Sequence, residues 1–311
     1  MTSDLGRRSG TMDIAVCGNP TLDELVQKGR VRISPGGSAL FVSGAATYLG
    51  ARVGIIGNVG EDYPSSVLSW LKHHGLNLRL LKTTKGPSTR FRIGYFHGSR
   101  RLWLLQSGQP VESTWRAGRV DGLHLGPVFN EVSESLARSL RKKCRFMSLD
   151  IQGLVRKVDR LGEVQVLRRN LGTVLRLCDL VKASIEEAKF QTSSRDLRHV
   201  ADRFLAMGPK YAIMTLGAKG SLLGIRDNGK LFIPAFPDGR IKDPTGAGDV
   251  YAGAWLSSYL WTKDPVWAAS VGSAFGSLAS ERTGLSKFRI SRRELFRRTS
   301  WVYNHVGSLR G

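Results

Sequence analysis

Cysteine is scarce in this chain: Cys17, Cys144 and Cys178 are the three present in 311 residues, far apart, each in an apolar context that reads as a buried strand or its flank. An odd, dispersed set of this kind excludes a disulfide framework or a cysteine-rich metal site and points to reduced core residues of a cytoplasmic protein. Long hydrophobic runs are also missing, which argues against a membrane span. Residues 1–11 are polar and lack the apolar stretch of a signal peptide, so a disordered tail is expected there, with Met12 a candidate alternative start. No Gly-x4-Gly-Lys-Ser/Thr sequence occurs, which excludes a P-loop. Internal repeats and low-complexity segments are absent as well.

Acidic residues are the remaining shortage: 25 Asp and Glu face 47 Lys and Arg, a formal net charge of +22. Such a field attracts polyanions and sustains salt-sensitive, non-specific nucleic-acid binding. The basic residues are spread along the chain, however, with local clusters at 138–145 and 292–298. The second cluster reads as the solvated face of a C-terminal helix, within 291–311, whose Leu295, Phe296, Trp301 and Val302 pack inward. No nucleic-acid-binding module is recognisable, so no specific nucleic-acid partner is expected, and a non-catalytic basic binding protein remains the alternative of another class.

What is present is a pattern of short β-branched runs alternating with helical stretches, which predicts βαβ units and a mainly parallel sheet in an α/β fold. Strands are expected at 14–18, 53–57, 122–125, 146–150, 180–183 and 211–216, with a helix of small residues over 37–49. Residues 89–95 and 101–106 flank Gly98-Ser99-Arg100 and predict a β-hairpin. Hydrophobic residues make up 41% of the chain, enough to bury a large core.

The segment Asp243-Pro244-Thr245-Gly246-Ala247-Gly248-Asp249 joins a glycine-rich turn to a carboxylate at the start of an apolar, small-residue helix. Glycines let backbone N–H groups converge on an anion, and the positive end of the helix adds to that field. A capped strand-to-helix turn of ordinary α/β type is the plainer reading of the same residues. Residues 243–255 resemble the C-terminal motif of the ribokinase-like (PfkB) family of carbohydrate and nucleoside kinases. Residues 36–51, opening Gly36-Gly37-Ser38-Ala39-Leu40-Phe41, and Gly57-Asn58-Val59-Gly60-Glu61-Asp62 are similar to that family's N-terminal motif. The two motifs stand in the expected order, and the likeness covers residues 12–290.

The resemblance implies a three-layer α/β/α fold with a small β lid from strands near 24–35 and 86–107. Only residues 24–35 separate Asp23 from Gly36, which implies a small lid. It also implies in-line phosphoryl transfer from ATP to a hydroxyl, with Asp249 as general base and the backbone of Gly246, Ala247 and Gly248 neutralising charge. Asn19, Asp23, Gly36, Gly37, Asp150 and Gln152 are expected on the acceptor, and Thr215, Gly217, Gly220, Thr245 and Ser184 on the nucleotide. Helix capping or a surface position is the plainer reading of Asp23.

Mg²⁺ is expected to be held through water by Glu187, in a run where Ser184 stands in place of the family's usual Asn. Residues 269–281 form a small-residue helix suited either to an adenine ring or to close helix packing. Residues 149–156, Leu149-Asp150-Ile151-Gln152-Gly153-Leu154-Val155-Arg156, look like the Asp-hydrophobic-Gln run of inositol-kinase-type relatives. A cyclic polyol such as myo-inositol, or a small sugar, is therefore the first expectation for the acceptor, and a nucleoside the alternative. A cytoplasmic monomer or homodimer without membrane contact is expected.

Overall fold

The computed structural model describes residues 12–308 apart from 28, 97–98, 113–114, 116–117 and 238–239. The expected tail at 1–11 and Gly98 of the hairpin turn lie outside the described residues.

The strands in chain order are β1 (Ile14–Cys17), β2 (Thr21–Gln27), β3 (Arg30–Gly36), β4 (Val53–Gly60), β5 (Asn77–Thr84), β6 (Arg90–Phe96), β7 (Ser99–Gln106), β8 (Val120–Leu125), β9 (Cys144–Asp150), β10 (Arg156–Val158), β11 (Val164–Val166), β12 (Leu180–Ser184), β13 (Tyr211–Thr215), β14 (Gly220–Ile225), β15 (Gly229–Pro234) and β16 (Gly307–Ser308). Ten of them form one sheet in the order β16-β15-β14-β13-β12-β9-β8-β1-β4-β5. From β13 to β5 every neighbouring pair is parallel, and β14 to β16 extend the sheet antiparallel. Strands covered on both faces read as unbroken apolar runs, which is why β1 and β4 are buried at every position.

Helices α1 (Ser38–Tyr48), α2 (Ser65–His73), α3 (Glu134–Arg141), α4 (Gly172–Leu175), α5 (Ile185–Thr192), α6 (Leu197–Ala206), α7 (Ala247–Thr262), α8 (Pro265–Ser280) and α9 (Arg292–Asn304) cover the two faces. The alternation of side chains along a strand divides the core. Ile14, Val16, Val53 and Ile55 pack with α1, α7 and α8, while Ala15, Cys17, Ile56 and Leu123 pack with α3 and α6. All three cysteines are free and buried.

Above the carboxyl ends of the parallel strands lies a second sheet of order β3-β2-β6-β7, in which β2 and β6 run parallel and the other pairs antiparallel. The hairpin expected over 89–106 is β6–β7. A bridge between Trp103 and Glu163 ties this lid to the β10–β11 hairpin.

Within α9 one expectation fails. Leu295, Arg298, Thr299 and Val302 face inward at helical spacing, which rotates Phe296 out to 65% exposure. Arg298 takes the inward place by pairing with Glu281 and Glu294.

Candidate active site

A cleft of about 590 Å³ opens between the lid and the carboxyl ends of β9, β12 and β13. The position follows from topology, since in open α/β sheets the strand ends and the following helix N-termini converge there. Asp23, Gly37, Asp150, Gln152, Ser184, Glu187, Thr215, Thr245, Gly246, Gly248 and Asp249 all line it. Asn19, Gly36, Ala247, Gly217 and Gly220 do not.

The floor is set by the turn into α7. Gly246 caps the helix at φ 75°, and a Cβ there would fall 2.4 Å from the Phe41 ring, so only glycine fits. Asp243 Oδ1 accepts from Thr245 N at 3.0 Å and fixes the turn, while Ala247 N donates to Pro244 O at 3.1 Å. The Ala247 N–H, expected to face an anion, is used within the turn in this structure. The other first-turn N–H groups have no intrahelical acceptor, the usual state at a helix start. A Cβ on Gly248 would lie 3.1 Å from Lys182 Nζ.

Asp249, the third residue of α7, is buried beside an ion pair between Lys182 Nζ and Asp150 Oδ2 at 2.5 Å. Burial pushes the Asp249 carboxyl above its ordinary range while Lys182 pulls it back and Asp150 pushes further. Burial opposes both charges of the pair as well, yet Lys182 holds Asp150 below its usual range, and Asp150 with Asp249 holds Lys182 above its own. Gln152 Nε2 donates to Asp249 Oδ1 at 3.2 Å, and Arg156 Nη2 donates to Gln152 Oε1 at 3.0 Å. Asp150 and Gln152 were expected on the acceptor. Both line the cleft, but the Asp150 carboxylate is spent on Lys182 and the Gln152 N, and Gln152 is turned onto Asp249.

The roof carries Asp23, on β2 of the lid. Its carboxyl accepts weakly from Phe91 N at 3.4 Å, and burial pushes it up to about 6, with the Thr21 side chain, Arg100, the Phe91 N–H and Arg156 pulling it back. Gly36 makes room for it, since a Cβ at that position would fall 2.3 Å from Asp23 Oδ2. Asn19, expected on the acceptor, does not reach the cleft. It is fully buried, its Nδ2 donates to Gln109 O at 2.9 Å, and its Oδ1 accepts from Asn58 N at 2.8 Å, so it braces loops beneath the lid.

On the opposite side, Ser184 caps α5 in a reciprocal capping box: Glu187 N donates to Ser184 Oγ at 3.2 Å, and Ser184 N donates to Glu187 Oε2 at 2.9 Å. Burial and the neighbouring Asp150 raise Glu187 above the ordinary carboxylate range. Gly220, at φ 110°, lies outside the cleft lining and packs on β15, where a Cβ would fall 2.2 Å from Ile233 O. Gly217 opens the short 3₁₀ turn Gly217–Lys219 at the end of β13, at φ 60°, beside the cleft and not in it. Helix α8 takes the packing alternative, since a Cβ on Gly272 would sit 3.0 Å from the Tyr251 ring of α7.

Among the cleft residues that the sequence left without a site role are the polar and charged Ser38, Arg100, Arg156 and Lys182. Lys182 had a signal, a lone charge inside an otherwise apolar strand, Leu180-Val181-Lys182-Ala183, where lysine is found only when paired. Arg100 comes from the lid, and nothing in its local sequence separates it from the many surface arginines.

A family model described as pfkB family carbohydrate kinase matches residues 10–290. A cytidine kinase of Thermococcus kodakarensis is 26% identical over 80% of this chain and 88% of its own length. An inositol 3-kinase of Arabidopsis thaliana is 26% identical over 92% of this chain and 79% of its own. Among solved structures, a pyrophosphate-dependent kinase in the ribokinase family, complexed with a pyrophosphate analog and myo-inositol, superposes with a TM-score of 0.78 at 23% identity, covering 91% of this chain and 99% of that one. The fold is thus ribokinase-like, and among the described residues no helix is long and apolar enough to cross a membrane.

Proposed function

The chain belongs to the pfkB family of carbohydrate kinases and is a phosphotransferase, and on that premise we propose that it moves the terminal phosphoryl group of ATP to a hydroxyl of a cyclic polyol or small sugar. The observation that carries this reading is the meeting of Asp249, at the start of α7, with Asp23, beneath the lid, in one cleft. Asp23 accepts hydrogen bonds from acceptor hydroxyls and fixes which one faces Asp249. Asp249 takes the proton of that hydroxyl as its oxygen bonds to phosphorus, and the bond to the leaving nucleoside diphosphate breaks on the far side. Gln152, held by Arg156, keeps the Asp249 carboxylate aimed, and the free N–H groups of the α7 start together with Lys182 balance the charge that develops.

The donor end fits a hard cation held mainly by phosphates and water. Glu186 and Glu187 line it, and among the described residues no group of three or more possible ligands forms a cage. Mg²⁺ would be held there through water by Glu187, and its chemistry is to neutralise the donor phosphates.

The polyol assignment is supported by the Asp150-Ile151-Gln152 run and by its relative in Arabidopsis thaliana, an inositol 3-kinase. The test is a panel of myo-inositol, ribose, fructose 6-phosphate, cytidine and inosine, each with ATP or with pyrophosphate and Mg²⁺, followed by phosphate-ester product analysis. Turnover of a nucleoside well above that of every polyol and sugar would replace the acceptor class. Turnover with pyrophosphate alone would replace the donor.

A further inference from the structure

Helix α9 presents a face that the chemistry above does not use. Phe296 and Tyr303 are both exposed and stand two helical turns apart, so they project from the same side of α9. Trp267, in the first turn of α8, packs beside both, with its ring centre 6.4 Å from that of Phe296 and 5.3 Å from that of Tyr303. Core packing does not account for the exposed pair, since Leu295, Thr299 and Val302 already fill the inward side of α9. No residue of α8 or α9 lines the cleft.

Charge selects the kind of partner. The exposed ionic side chains of α9 are Arg292, Arg293 and Arg297, while its one acid, Glu294, is half-buried and bonded to Arg297 and Arg298. Asp264, the acid that precedes α8, accepts from Val266 N and Trp267 N as the cap of that helix. A polyanion therefore meets arginine on this face and little that repels it. A second copy of the chain would set the same arginines against each other across a two-fold axis. A bilayer fits less well, because among the described residues the exposed large apolar side chains of this face are aromatic, with no aliphatic one beside them.

Arginines beside aromatic rings are the combination that grips an unpaired strand, with bases stacked on the rings and phosphates held by the cations. Ring centres 5.3 and 6.4 Å apart are wider than the about 3.4 Å between successive nucleotides of a duplex strand, so bases lying on them belong to an extended single strand. The Tyr303 hydroxyl and the exposed Asn304 amide stand at one end of the face, where such groups can meet the 2′-hydroxyls of RNA.

We propose that the α8–α9 face is a binding site for single-stranded RNA, separate from the cleft, in which Phe296, Trp267 and Tyr303 stack bases and Arg292, Arg293 and Arg297 hold phosphates. The site reads no sequence, because every base offers a face to a ring. It does not depend on the kinase reading.

The experiment is fluorescence anisotropy of a labelled oligouridine, about eight nucleotides long, titrated with the full chain over a KCl series. Phe296→Ala and Tyr303→Ala should each weaken binding by about 5–150-fold, the scale of one base on one ring, and both should melt close to wild type because the side chains are exposed. Phe296→Leu should bind as poorly as Phe296→Ala, since leucine restores apolar area but has no face to stack on. Arg293→Ala should reduce the slope of log affinity against log salt by about 0.7. Wild-type affinity in both aromatic variants would overturn the proposal and leave the binding to the diffuse charge of the chain, as would duplex RNA bound as tightly as oligouridine. Recovery of binding in Phe296→Leu would overturn the stacking. Oligothymidine bound as tightly as oligouridine would overturn the assignment to RNA. Phosphatidylserine vesicles or polyglutamate bound in place of oligouridine, and lost in the same variants, would replace RNA by a membrane or an acidic protein, and a dimer lost in Phe296→Ala would replace it by a second copy. With any accepted substrate, kcat should be unchanged in all these variants, and a change would overturn the separateness of the two sites.

Discussion

Two buried aspartates face the same cleft and are built in opposite ways. Asp249 stands on the floor, at the start of a sixteen-residue core helix, with Lys182, Gln152 and the Asp150 charge packed around it. Asp23 stands on the roof, in a four-stranded lid whose outer strand exposes Val31 and Ile33, and neither Arg100 nor Arg156 makes a hydrogen bond to it. The floor thus holds a carboxylate in place by fixed neighbours before anything binds. The roof holds one whose partners are the Thr21 hydroxyl and the Phe91 N–H, and a ligand rich in hydroxyls would add to them. The difference separates a group that must be aimed from a group that must be satisfied.

The sharpest way to break this comparison is to remove charge from the floor alone. Asp249→Asn keeps the shape and should lower kcat by roughly 10²–10⁴-fold, the usual scale for a positioned general base, with donor and acceptor KM close to wild type. Wild-type turnover on the best acceptor would end the assignment. A different cost is expected for Lys182→Met. That change leaves Asp150 buried without its cation and should destabilise the fold by about 3–5 kcal/mol in denaturant titration. The double variant with Asp150→Asn should regain much of that loss, and additive losses would show that the pair does not act as a unit.

On the roof, Asp23→Ala should raise the acceptor KM by about 10–150-fold, the equivalent of one hydrogen bond to a charged group, and leave the donor KM near wild type. Equal rises in both constants would make Asp23 a structural element of the lid and would erase the distinction between the two carboxylates.

The floor was the more legible of the two in the sequence, and the reason is physical. Its turn needs a left-handed Gly246 packed on Phe41, and the chemistry proposed for it needs a carboxylate on the first helical turn, so residue identity and spacing are both constrained locally. The parallel strands were legible for a similar reason, because burial on both faces demands apolar runs such as Val53-Gly54-Ile55-Ile56. Asn19 could not be placed from sequence, because a buried amide that braces Asn58 and the Gln109 carbonyl has the same local sequence as one facing a ligand. The contact of Gln152 with Asp249 was not legible, since it spans 97 positions and no periodicity reports it. The edge strand β5 and the strands β15 and β16 went unassigned, being half-polar or short, and so did β14, which is buried at every position but whose apolar run is broken by Ser221 and Gly224.

The smallest effect, and the one that most directly compares roof with floor, is pH dependence. Burial raises Asp23 to about 6, so between its ordinary value of 3.8 and about 6 the folded protein holds a proton that the unfolded chain has released. Stability from this group therefore falls as pH rises through that window, because the folded state binds more protons than the unfolded one. Ligand binding should follow the opposite sense. The ionised Asp23 is the form that accepts hydroxyl hydrogen bonds, so the acceptor KM should rise as pH drops below about 6, approaching tenfold per pH unit. Asp23→Asn should remove this dependence while keeping whatever pH dependence of kcat belongs to Asp249. Measuring KM and kcat separately from pH 5 to 8 on both proteins is decisive, and a KM profile that is unchanged in Asp23→Asn would move the titrating group elsewhere in the cleft.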